Sequence, residues 1–246
     1  MQINPPFGYT DIVPLLKTHR VRLLRQGEVP GFARKLNAIP VSFTEFALVA
    51  RDYPLVFTSA DGGKSFAPVA VLGMSAGENL FVDGAGRWAP NLYVPAYARR
   101  FPFCMAKVTL NQVEQQNRMV CVEKSHLEEG GEAMFDDKGE PSAKWSDMQR
   151  LLAEYEADLE RARELCTILV DYALLEPFSL QAKPAKGGAV QLAGMHRIDE
   201  KKIEHLNVNQ FKNLAKKGIL GRLYAHLLSL ENFARLLERR AGQVQA

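Results

Sequence analysis

Only three cysteines occur in the 246 residues, at positions 104, 121 and 166. Their long spacings offer neither a disulfide framework nor a zinc-ligand pattern. Long hydrophobic runs are also missing. The longest uncharged stretch, Ser65 to Gly77, is 13 residues, whereas a membrane helix needs roughly 18 or more. Neither sign of charge dominates: 31 Lys and Arg against 28 Asp and Glu leave a net charge of +3, too little for an overall nucleic-acid footprint. Lys212, Lys216 and Lys217 lack the interleaved aromatics that would stack bases, so nucleic acid is not an expected partner. The first ten residues carry two prolines and no basic residue, unlike a secretory signal. The expected location is therefore the cytoplasm, with signal-independent export to the cell surface as the alternative. The five histidines, at 19, 126, 196, 205 and 226, never fall at i, i+2 or i, i+4 spacing with one another, and no cysteine stands at such a spacing from any of them. No metal or cofactor is expected.

Hydrophobic residues make up 47% and charged residues 24%, which excludes wholesale disorder. A chain of this length buries about 70% of its unfolded surface. Ten of its 13 prolines lie within residues 1–102, a density that no long helix survives. The apolar stretches between them read as strands at Leu55–Thr58, Val69–Met74, Leu80–Asp83, Phe103–Leu110 and Met119–Glu123, punctuated by turns such as Asp61-Gly62-Gly63 and Asp83-Gly84. Ser42-Phe43-Thr44-Glu45 is a capping box that opens a short helix, and Pro54 ends it.

From residue 143 the pattern becomes helical. Ser146 to Gln149 is a second capping box, predicting a helix to about Leu175 with Leu151, Tyr155, Leu159, Ala162, Cys166 and Leu169 on one stripe. A Pro/Gly segment follows at Pro184–Gly188, then strands at Val190–Leu192 and His196–Ile198. Asp199 caps a short helix, Asn209 caps another ending at Gly218, and a last helix runs from about Leu220 to Arg240. The expectation is an α+β fold in one unit, residues 1–246, with a β-rich, Pro-rich part at 1–142 and a mainly helical part at 143–246. The final amphipathic helix can bury against the core or pair with a second chain, which leaves self-association open. Charge is divided: residues 123–164 carry a net −7 and residues 201–246 a net +6.

Two motifs fail on their context. Gly73-Met74-Ser75-Ala76-Gly77 matches the nucleophile elbow of serine hydrolases, but that elbow needs a helix directly after the serine. Here the following residues, up to Asp83-Gly84-Ala85-Gly86, read as strand and turn. Gly63-Lys64-Ser65 imitates the end of a phosphate-binding loop, yet Thr58 stands where the loop's first glycine belongs. The densest chemistry is Arg87-Trp88 followed by Tyr93 to Phe103, which supplies aromatics and the pair Arg99-Arg100 between prolines 90, 95 and 102. Aromatic faces with arginine forks suit sugars, peptides or carboxylates. The candidate ligand-binding residues are Glu45, Glu78, Asn79, Trp88, Tyr93, Tyr97, Arg99 and Arg100. The same pattern is also read as aromatic core packing, with the arginines paired to inner acids such as Glu45 or Glu78.

Asn37-Ala38-Ile39-Pro40, Tyr53-Pro54-Leu55-Val56-Phe57, Gly77 to Asp83, Tyr93-Val94-Pro95 and Arg99-Arg100-Phe101-Pro102-Phe103 together resemble the bacterial SapC family. The likeness continues through Met134-Phe135-Asp136 and Tyr224 to Leu230. This is the family named for a surface-layer-associated protein, not the peptide-transport permease of the same name. The resemblance carries no agreed activity and no catalytic residues. It implies an accessory or binding role beside outer-membrane uptake receptors and oxygenase-like proteins, with a protein or glycan partner. The alternative is an enzyme acting on a peptide, glycan or small substrate near Glu45, Glu78, Asn79, Tyr93 and Arg99.

Overall fold

The computed structural model describes residues 2–110, 113–115, 118–182 and 189–243. The expected Pro184–Gly188 segment lies outside them. In chain order the first half holds β1 (Gln2–Asn4), β2 (Ile12–Pro14), β3 (Arg20–Val21), β4 (Ala38–Pro40), α1 (Phe46–Asp52), β5 (Leu55–Thr58) and β6 (Ala67–Val71). It continues through α2 (Ala96–Arg99), β7 (Phe103–Leu110), β8 (Val113–Glu114), β9 (Met119–Glu123) and β10 (Glu132–Ala133). The second half is α3 (Ala143–Asp171), β11 (Leu175–Ala182), β12 (Val190–Ile198), α4 (Glu200–Glu204), α5 (Val208–Lys216), α6 (Ile219–Ser229) and α7 (Asn232–Gln243). The fold is α+β, and every strand pairing is antiparallel.

The larger sheet runs β11-β12-β5-β6-β4, so strands from both halves share one ladder. A second sheet joins β1, β7, β9 and β2, with β8 on β7, and β10 pairs with β3. The 29-residue α3, about 43 Å long at 1.5 Å per residue, spans two cores. Its first turns bury Trp145 and Leu152 with Phe103, Val122 and Met134. Its later turns bury Ala162, Leu165 and Leu169 with the larger sheet, α1 and α6.

Several elements differ from the sequence reading, each for a local reason. Leu80–Asp83 forms no strand; only Val82 bridges Trp88. Side chains take the backbone donors there, since the Phe81 N–H donates to Asn79 and the Arg87 N–H to Asp83. The strand expected at Val69–Met74 is shifted to Ala67–Val71. Ser142, not Ser146, caps α3 by accepting from the Trp145 N–H, while the Ser146 hydroxyl donates to the Ser142 carbonyl. The helix stops at Asp171, and Leu175 opens β11, a strand the sequence reading lacked. Pro177 is tolerated in it because β11 is an edge strand. The two strands expected around Gly194 are one, β12, with Gly194 at φ +76°. Asn207 rather than Asn209 caps α5, in a box with Gln210. The single last helix is two, because Ser229 and Asn232 turn inward. The Leu55 N–H donates to Ser229 Oγ at 2.9 Å, and Asn232 Nδ2 donates to the Ala50 carbonyl at 2.8 Å.

Gly73 shows how tightly the connections pack. Any side chain there would run into the Glu78 carbonyl. Cys104 and Cys121 stand directly opposite each other on β7 and β9 as free, fully buried thiols.

His226 on α6 is completely buried against Phe57, and its Nε2 accepts from the Ile198 N–H at 3.1 Å. Burial above all pulls its pKa down to about 4, and the Arg197 charge acts in the same direction. The unfolded chain takes up a proton near pH 6.5 that the folded chain refuses. Stability is therefore full above about pH 6.5 and falls as the pH drops toward 4, by about 3 kcal/mol over that window. Urea denaturation at pH 7 and pH 4.5 should show this loss in the parent chain, and His226→Gln should remove most of the difference.

Candidate functional site

Glu45 closes the Ser42 capping box just before α1, and only 3% of it is exposed. One carboxylate oxygen accepts from the Ser42 N–H at 2.9 Å. The other accepts from the Tyr93 hydroxyl at 2.9 Å and the Ala96 N–H at 2.6 Å. Arg99, exposed on α2, donates to the Tyr93 hydroxyl at 3.0 Å and to the Val94 carbonyl at 2.9 Å. Burial and the neighbouring Glu45 charge raise the Tyr93 pKa, keeping the phenol a donor. Trp88 Nε1–H donates to the Tyr53 hydroxyl at 2.8 Å, which donates in turn to the Tyr93 carbonyl at 2.7 Å. Trp88, Tyr93, Arg99 and Glu45 are thus one continuous network.

Arg100 forms a second centre, 3% exposed. Its guanidinium carbon lies 4.3 Å from the Tyr97 ring centroid, 4.8 Å from Tyr155 and 5.6 Å from Tyr9. Its acid is Glu156 on α3, at 3.7 Å, and neither Glu45 nor Glu78. Glu156 also pairs with Arg118. Burial raises the Glu156 pKa, and the two arginines oppose that rise. Burial likewise lifts the hydroxyls of Tyr9, Tyr97 and Tyr155, so the cation faces neutral rings. The Tyr97 hydroxyl donates to the Phe7 carbonyl at 2.6 Å and ties down the N-terminal loop.

The remaining candidates lie elsewhere. Asn79 is buried, donating to the Ala33 carbonyl at 2.7 Å. Half-buried Glu78 accepts from the Met74 N–H at 2.6 Å and pairs with Arg240 of α7 at 3.4 Å. Ser75 meets Arg240 at 3.3 Å, and no helix follows it. The Gly63-Lys64-Ser65 segment is the β5–β6 turn, where the Asp61 carboxylate accepts from the Lys64 and Ser65 N–H groups.

Reactive groups are closed off in the same way. Burial pushes Cys104 and Cys166 up to about 12 and Cys121 to about 11, far from thiolate chemistry near neutral pH. Among the described residues, no group of three His, Cys, Asp or Glu is placed to hold a metal ion. No described helix is long and apolar enough to cross a membrane.

Open space lies on another surface, which the candidate stretch in the sequence touches only through Arg87 and Phe101. A cavity of about 540 Å³ is lined by Phe32, Lys35, Phe101 and His126, among others, and shares Arg22 with a neighbour of about 490 Å³. Arg25, Glu28 and Arg87 line that second cavity, which shares Glu128 with a third of about 450 Å³ beside His19. The sequence held one signal. In the alternation Arg20-Val21-Arg22, Val21 is buried and both arginines point the other way.

A family model described as SapC matches residues 16–236. The chain belongs to the SapC family. No curated protein and no solved structure matches it.

The two adjacent arginines should separate cleanly. Arg100→Ala strands Glu156 and empties a tyrosine cage, and should cost about 3 kcal/mol or more. Arg99→Ala removes exposed contacts and should stay within about 0.5 kcal/mol of the parent. Chemical denaturation measures both. Equal losses would contradict the assignment of Arg100 as the structural cation.

Proposed function

We propose that this SapC-family chain is an accessory or binding protein of a bacterial envelope or uptake system, without catalytic machinery of its own and possessing a surface-layer association as its setting. The observation that supports this reading is how the side chains are used. Glu45, Asn79, Trp88, Tyr97 and Arg100 are engaged in interior hydrogen bonds and ring contacts, and the thiols are buried. The adjoining cavities, by contrast, are lined by charged side chains, arginines among them, and such groups steer and orient a partner of complementary charge. The proposed location is the cytoplasm, with the cell surface, reached by signal-independent export, as the alternative.

The enzyme reading rests on Glu78, a candidate carboxylate that keeps a quarter of its side chain exposed. The two readings differ in what Glu78→Gln does. Purified chain is mixed with a solubilised envelope fraction, and both its retention and the chemical state of the retained material are followed. Saturable retention without turnover, unchanged in Glu78→Gln, is the expected outcome. Turnover that vanishes in a folded Glu78→Gln chain would replace the binding role with catalysis. Protease shaving of intact cells, read with an antibody, locates the protein: cleavage is expected for an exported pool, and full protection would remove the surface-layer setting.

A further inference from the structure

We infer that the groove formed by the cavities around Arg22 is the docking site for an extended acidic segment of a partner protein, with its carboxylates taken by Arg22, Arg25 and Lys35. This rests on the binding role proposed above and adds the place and the ligand chemistry.

Arg22 is held ready for such a ligand. His126 is buried, stands edge-on to Phe101 with ring centroids 4.7 Å apart, and donates from Nδ1 to the Arg22 carbonyl at 2.7 Å. That fixes its Nε2 as an acceptor, and Arg22 Nη2 donates to it at 2.9 Å. Arg22 Nη1 donates to Glu28 at 3.3 Å. The guanidinium is gripped on two sides, yet 41% of the side chain is exposed. The fork keeps further N–H donors for a bidentate carboxylate, and an arginine oriented beforehand loses less entropy on binding.

Two of the acids along this stretch, Glu28 and Glu123, are already engaged, and the third, Glu128, stands at the wall shared with the far cavity. Glu28 accepts from the Arg25 N–H at 3.0 Å as well as from Arg22, and the backbone bond above all holds it below the usual carboxylate range. Glu123 accepts from the Thr10 hydroxyl and from the N–H groups of Thr10 and Asp11. Arg25 and Lys35, by contrast, are exposed and make no ion pair among the described residues. The charge available to a ligand here is positive. It reverses at the far cavity, where Glu128 and Glu129 outnumber Arg20, so the groove has a direction.

The dimensions favour a chain over a small molecule. Each cavity has the volume of a small-ligand site, and each shares a wall residue with the next. Tryptophan and tyrosine platforms of the kind that stack sugars do not line these cavities; the aromatics are Phe32 and Phe101. Charge complementarity therefore favours a peptide over a glycan.

The test is fluorescence anisotropy of a labelled hexaglutamate peptide titrated with the full chain, with hexalysine and oligogalacturonate run in parallel. Saturable hexaglutamate binding is expected, weakened about tenfold or more by the double variant Arg25→Glu, Lys35→Glu and by raising the salt from about 0.05 to 0.5 M. Both substituted side chains are exposed, so the melting curve should not move. Lys212→Glu with Lys216→Glu makes the same change of net charge on α5 and should leave binding unaltered. Equal weakening by the α5 pair would reduce the effect to net charge and overturn the site. Binding of oligogalacturonate without hexaglutamate would overturn the peptide in favour of an acidic glycan. Binding of neither would overturn the groove while leaving the binding role to the envelope-retention experiment.

Discussion

The Arg100 guanidinium lies where the end of α2, the N-terminal loop and the middle of α3 converge, ringed by Tyr9, Tyr97 and Tyr155 and facing Glu156. A cation so far from water is tolerable only with an anion and electron-rich ring faces around it. That requirement reaches well beyond the cage. Tyr155 and Glu156 are consecutive on α3, so placing them sets the rotation of the whole helix. With that rotation fixed, Trp145 and Leu152 enter one core while Leu165 and Leu169 enter the other. Tyr97 and Tyr9 anchor the Phe7 and Phe103 carbonyls in turn, which brings the chain's start and β7 to the same point.

What surrounds this centre is stiff. The Glu45 network gives a carboxylate three donors, and the Trp88–Tyr53–Tyr93 series runs from indole to phenol to backbone without a gap. Such groups specify one packing arrangement and leave little reactivity over. The groove is built on the opposite plan. There a buried histidine positions an arginine whose head stays partly in water, beside Arg25 and Lys35, which make no ion pair among the described residues.

How much of this was legible in the sequence depended on how local the cause was. Leu55–Thr58, Phe103–Leu110 and Met119–Glu123 are strands with the expected bounds, because proline and turn residues fence them. The Ser42–Glu45 box works as read, since both of its bonds close within four residues. Helix ends were harder, because Ser142 and Ser146, or Asn207 and Asn209, offer rival caps and only the tertiary setting chooses between them. The break between α6 and α7 was hidden because the apolar stripe runs straight through it, while its cause lies at Leu55 and Ala50. The aromatic stretch at 87–103 stood out in sequence, but the partner of Arg100 sits 56 residues further on. The groove draws on residues around 22, 35, 87 and 126, four segments whose meeting no spacing foretells.

The shared ladder of the larger sheet also sets a schedule for synthesis. Thr58 and Phe57 of β5 pair with Met195 and His196 of β12, and α6 covers the same strand from still later in the chain. A ribosome adding about 5–20 residues per second releases β5 on the order of ten seconds before its partner exists. For that interval Leu55, Val56 and Phe57, all fully buried at the end, belong to an apolar strand with one edge unpaired, the arrangement most open to pairing with another chain. The nascent first half therefore carries this strand with one edge open until the last quarter of the chain emerges.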